Sequence, residues 1–167
     1  MTSADVELSF ADAVGRHFAR QNGLPPVTGR VVGWLLICDP AQQTIAEVSE
    51  GLRASRSAIS GAVAQLEDWS WIRRSRAAGE RVDRVELDPA IWVRLLDKTE
   101  EYTSLGVLAQ RGLELLDGAP DTRRSRLGEA AAFADFLTQR MPTIAAEWRA
   151  RRAELRASAD NAPDGHI

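Results

Sequence analysis

The sequence is poor in several residue types, with one cysteine, one lysine, one tyrosine and two histidines among 167 residues. A single Cys38 excludes an internal disulfide and a thiolate metal cluster within one chain. His17 and His166 leave too little for a metal site or a conventional catalytic triad, so neither a metal nor a cofactor is expected. No glycine-rich loop suited to phosphate and no convergent nucleophile and base can be picked out, so enzymatic chemistry is not expected. No apolar run reaches about 18 residues, so no membrane-spanning helix is expected. The first residues, MTSADVELSF, lack the basic-then-apolar order of a signal peptide, and a soluble, cytoplasmic protein is expected.

What is present is an ordinary globular balance, 44% apolar and 27% charged. The length suits about one domain, or one domain with long helical extensions. The net charge of −3 is unevenly spread. Residues 53–84 hold seven arginines and four acids, so this window is +3 and the rest of the chain is −6. A basic segment on an acidic body is one footprint of a nucleic-acid reader, and a solvated basic hairpin is the other reading.

Periodicity divides the chain. Val6, Phe10, Val14 and Phe18, with Ala13, mark one face of a helix over about 5–22, stopped by Gly23-Leu24-Pro25-Pro26. The stretch 28–38, TGRVVGWLLIC, is apolar all round and reads as a short buried helix. In it Gly29 and Gly33 leave a shallow strip for another helix. Thr44 and Glu47 form a capping box ahead of a short helix lined by Ile45, Val48 and Leu52. After a turn at 53–55, with Ser55 as N-cap, Ala58, Ile59, Ala62, Val63 and Leu66 mark a second helix to about 68 or 69. Residues 71–76 and 82–87 predict two strands around a turn containing Gly79. From Pro89 one long helix is expected to about 116, interrupted by Lys98, and a last one from about 122, with Pro142 inside it as a kink or a cost. The tail from about 159 is expected to be disordered.

The order capped short helix, three-residue turn, second helix and basic hairpin is that of a helix-turn-helix followed by a wing. The fold class expected is therefore mainly α with a small β-hairpin wing and a long-helix dimerisation domain. The second helix would put its N-terminal outer face into a major groove. Arg53, Ser55, Arg56, Ser57, Ser60, Gly61 and Gln65 are the candidate contacts there. Arg56 suits guanine, Gln65 suits adenine, and the small residues allow close approach to base edges. Arg81, with Arg76 or Arg84, would reach an adjacent minor groove. Double-stranded DNA is the partner this face implies. A winged-helix module docking another protein is the alternative, and an apolar outer face would favour it.

TGRVVGWLLICDP, the stretch TIAEVSEGLRASRSAISGAVAQLEDWSWIRR and then GERVDRVEL resemble the MarR-type winged-helix regulators, most of all the GbsR-related branch and the mycobacterial repressors of MmpS–MmpL efflux operons. The resemblance spans about 10–148. It implies a homodimer held by the N-terminal and C-terminal helices, regulation of nearby operons, and release by a small amphipathic ligand. By position it puts Arg56, Ser57, Ser60 and Gly61 in the major groove and Arg81 at the wing, oriented by Glu80. Pro142 and the arginine-rich first wing strand depart from the family pattern.

Dimerisation also follows from the residues, since two long helices with near-heptad apolar spacing cannot bury both faces on so small a domain. A two-fold dimer would set its reading helices ~34 Å apart and predict a pseudo-palindromic operator. The expected organisation is thus a dimerisation helix (1–24), a DNA-binding domain (25–88), dimerisation helices (89–158) and a tail (159–167). Cys38 reads as a buried small hydrophobe, with a redox switch as the other reading. Phe10, Phe18, Trp34, Trp92 and Leu105 could line a cavity for a lipid-like or aromatic inducer, against plain structural packing.

Overall fold

The computed structural model describes residues 2–76, 79, 81–97 and 99–160. These form two units, residues 1–91 and 92–167. The N-terminal helix belongs to the first unit, and the boundary falls just after the wing.

Small residues decide how the first unit begins. Helix α1 (Ser3–Asn22) starts at a capping box. The Thr2 hydroxyl accepts from the Asp5 backbone N–H, and the Asp5 carboxylate accepts from the Thr2 N–H. Helix α2 (Pro26–Leu35) crosses it at close range. A Cβ on Gly29 would come 2.9 Å from the Gly15 Cα, and one on Gly33 would come 2.9 Å from the Ala11 Cα. The strip expected at Gly29 and Gly33 is therefore filled by α1. The buried residues of α1 are Ala11 and Gly15, while Val6 and Phe10 are exposed. Backbones brought this near need small side chains at the crossing, and the larger apolar residues flank it.

Strand β1 (Gln43–Thr44) precedes helix α3 (Ile45–Gly51), which opens at the expected capping box: Glu47 N–H donates to the Thr44 hydroxyl and Thr44 N–H to the Glu47 carboxylate. Helix α4 (Arg56–Asp68) follows the turn. Strands β2 (Ile72–Ser75) and β3 (Arg84–Leu87) make the wing. The sheet is antiparallel in the order β1-β3-β2, with Gln43 opposite Val85 and Arg74 opposite Val85 on the other side. The strand β1 was not expected. Gln-Thr carries no apolar alternation, and only its distant partner makes it a strand. Val31, Val32, Val48, Leu52, Ile59, Val63, Leu66 and Val85 form the core. Each such side chain contributes about 1.5–3 kcal/mol on burial.

Helix α5 (Ile91–Leu96) starts at the last residue of the first unit, and α6 (Glu100–Leu115) and α7 (Asp121–Asp160) lie in the second. The single helix expected from Pro89 is thus two helices, broken around Asp97 and Thr99, where Glu100 and Glu101 favour a fresh N-terminus. Helices α6 and α7 run antiparallel, since Tyr102 meets Phe133 edge-on, Gly106 faces Ala134 and Gly112 faces Leu127. Both carboxylate oxygens of Asp97 accept from Arg149 Nη2 (2.7 and 2.8 Å). Helix α7 continues through the exposed Pro142 to Asp160. Residues 159 and 160 are therefore helical, and the remainder of the expected tail, 161–167, lies outside the described residues.

Candidate nucleic-acid interface

The turn between α3 and α4 is fixed from three sides. Leu52 is fully buried, and its carbonyl accepts from Arg30 Nη2 (2.7 Å), while Arg30 Nε donates to Asp12 (2.6 Å). Arg53 takes a left-handed backbone conformation (φ 49°) and its guanidinium donates to Asp5 (2.9 Å). The Ser49 hydroxyl donates to the Ala54 carbonyl. Ser55 then caps α4, its hydroxyl accepting from the Ala58 N–H (3.2 Å) and lying 3.2 Å from that of Ser57. Four separate contacts thus set where the second helix starts.

The two faces of α4 differ sharply. Ile59, Ala62, Val63 and Leu66 are buried, and Arg56, Ser57, Ser60, Gly61 and Ala64 are exposed. A Cβ on Gly61 would meet nothing within 4 Å, so nothing in the fold itself requires glycine there. Gln65 does not join this outer face. It is half-buried, and its amide oxygen accepts from the Thr28 hydroxyl (2.8 Å), fastening α4 to α2. A bidentate contact to adenine would need that oxygen released.

Most of the wing arginines already have partners. Arg73 pairs with Glu86 (2.7 Å), Arg74 with Glu67 (2.7 Å), Arg76 with Asp83 (2.6 Å), and Arg84 with the capping carboxylate of Glu47 (3.3 Å). Arg74 hydrogen-bonding holds the Glu67 carboxyl below its ordinary range, and Arg76 does the same for Asp83. Arg56 and Arg81 have no such partner among the described residues, and both are exposed. Gly79, at φ 87°, lies in the wing turn. Ala77, Ala78 and Glu80 lie outside the described residues, and with them the expected pairing of Glu80 with Arg81.

The five apolar candidates fall in different units. Phe18 packs edge-on against Trp71, and the Trp34 ring lies where a Cβ on Gly51 would stand. Phe10 is exposed in the first unit, and Trp92 and Leu105 are exposed in the second. Among the described residues, no group of three or more His, Cys, Asp or Glu could hold a metal. Sequence reasoning missed Asp5, Asp12 and Arg30 as parts of this region. The small residues Ala11 and Gly15, one helical turn apart like Gly29 and Gly33, were the signal that α1 lies close enough to reach the turn.

The HTH-type transcriptional regulator MmpR5 of Mycobacterium tuberculosis is 33% identical over 123 residues, which are 73% of this chain and 74% of that protein. This chain belongs to the MmpR5-like MarR family of transcriptional regulators. The family model described in those words matches residues 90–151. A crystal structure of a transcriptional regulator, 28% identical, superposes with a TM-score of 0.69 over 86% of this chain and 98% of the other. The MmpR5-like family is one of regulators and not of enzymes, and the winged helix-turn-helix is its fold. No helix among the described residues is long and apolar enough to cross a membrane.

Proposed function

We propose that this MarR-family regulator is a homodimeric, sequence-specific DNA-binding repressor of nearby transport or efflux genes, released by a small amphipathic ligand. One observation carries the DNA reading. The outer face of α4 offers Arg56, Ser57, Ser60 and Gly61 with no apolar bulk, at a helix N-terminus that favours phosphate. Arg81 on the wing, without a partner among the described residues, adds a second cation. A face of this composition does not suit the protein-docking alternative, which needs apolar anchors. Arg53 and Ser55 border the same face, and Arg76, Arg84 and Gln65 would have to exchange their present partners to join it.

Homodimerisation is supported by the second unit, where Val107, Leu108, Leu115, Phe133, Phe136 and Leu155 are large apolar side chains left exposed on one chain. Phe10, Trp92 and Leu105 are apolar side chains open to an inducer, and Phe18 and Trp34 are already engaged within the first unit.

The test is fluorescence anisotropy with a duplex taken from upstream of the chain's own gene, with salt and competitor DNA varied. Binding that survives competitor, and that Arg56→Ala and Arg81→Ala each weaken at least tenfold with the dimer intact, is the expected result. Unchanged affinity in both variants would overturn the site assignment, and no binding by the wild type would overturn the DNA reading.

A further inference from the structure

We propose that Asp5, on the N-terminal helix, sets the affinity of the DNA-binding face by competing with the DNA backbone for Arg53. The proposal rests on the DNA reading above. Arg53 stands two residues ahead of Ser55, the N-cap of α4, so a phosphate settling at the first turn of that helix comes beside it. Its side chain is 63% exposed and within reach of such a phosphate. Its Nη2 is nevertheless occupied, 2.9 Å from Asp5 Oδ1.

The Asp5 carboxylate is divided between two tasks. Its Oδ2 accepts from the Thr2 hydroxyl (2.8 Å) and the Thr2 N–H (3.2 Å), which fixes the group at the start of α1. Its Oδ1 is left for Arg53. The Thr2 hydrogen bonds first, and then Arg53, hold this carboxyl below its ordinary range, so it is ionised at neutral pH.

The spacing between the two partners is also fixed. Arg30 bonds Asp12 on α1 and the Leu52 carbonyl at the turn, so the Arg53 backbone is tied to the helix that carries Asp5. The turn is thereby held beside α1, with the guanidinium in reach of Asp5. A phosphate oxygen must therefore displace the carboxylate or share the cation with it, and the two anions repel. The pair weakens binding by the same interaction that holds it together in the free protein. For an exposed pair this corresponds to about two- to fivefold in affinity.

A double-mutant cycle tests this on the full chain with the same duplex and anisotropy assay. Asp5→Asn is expected to tighten binding about two- to fivefold when Arg53 is present and not when it is Arg53→Gln. Thr2→Ala damages the same cap but leaves the carboxylate facing Arg53, so no tightening is expected from it. Thermal melts by circular dichroism establish that all variants are folded. Equal tightening in both Arg53 backgrounds would mean general charge repulsion and would overturn the proposal, as would unchanged or weaker binding by Asp5→Asn. In these cases the DNA reading survives. Failure of the wild type to bind the duplex would remove both.

Discussion

Gly61 is costly to the helix that contains it. In an exposed helix interior glycine is about 0.5–1 kcal/mol worse than alanine, and no neighbour here excludes a methyl group. Gly61→Ala should therefore raise the melting temperature by a few degrees. If base edges approach this position closely, the same variant should bind DNA more weakly despite being more stable. A variant that is both more stable and equally tight would place Gly61 outside the contact surface. Cys38 allows a different check. Burial pushes its thiol up to about 11. At pH 8 it should then hold on the order of a hundredfold less thiolate than an ordinary cysteine, and alkylate correspondingly slowly. The raised value also fixes the sign of the stability effect. The contribution is complete below the ordinary thiol range and is lost as pH rises toward 11. A reaction rate that levels off near pH 8.5 would exclude this environment.

At the level of elements, Pro142 is the feature most at odds with its surroundings. It lies inside the 40-residue α7 and removes one backbone donor. Pro142→Ala should stabilise the protein by about 1–3 kcal/mol in urea unfolding at fixed protein concentration. No gain would mean that the helix is relieved locally at that point. Elements defined by local chemistry were legible in the sequence. The Thr44–Glu47 box, the Ser55 cap and the Ile59–Leu66 stripe each depend on residues within one or two turns, and they locate α3 and α4. What depended on distant partners was not legible. Strand β1 exists through Val85 and Arg84, some forty residues away. The break between α5 and α6 showed in the sequence only as an interruption of the apolar spacing at Lys98, which did not by itself reveal two separate helices. Arg74 could not be seen to belong to Glu67, because the turn that joins them has to be built first. The outer face of α4 followed from its period, but the inward commitment of Gln65 needed Thr28 brought beside it.

For the whole molecule, the exposed apolar residues of α6 and α7 support the proposed second copy. Leu108 and Phe136 are 60% and 59% exposed, unusual for a chain expected to remain monodisperse alone. Charging both, as Leu108→Glu with Phe136→Glu, should shift sedimentation from dimer toward monomer. It should also weaken operator binding more than tenfold, since each half-site would then be held separately. A variant that remains dimeric would place the interface elsewhere on the chain.

The wing brings its own anions to its arginines, and this bears on how the regulator would find a target. Seven arginines per protomer acting freely would give a dimer a log–log salt slope near −13. With Arg53, Arg73, Arg74, Arg76 and Arg84 held by Asp5, Glu86, Glu67, Asp83 and Glu47, about −4 is expected from Arg56 and Arg81. A protein so neutralised has little hold on arbitrary sequence. It would spend its search mostly in free diffusion, with few molecules parked along the chromosome, and a modest number of copies could keep one operator occupied.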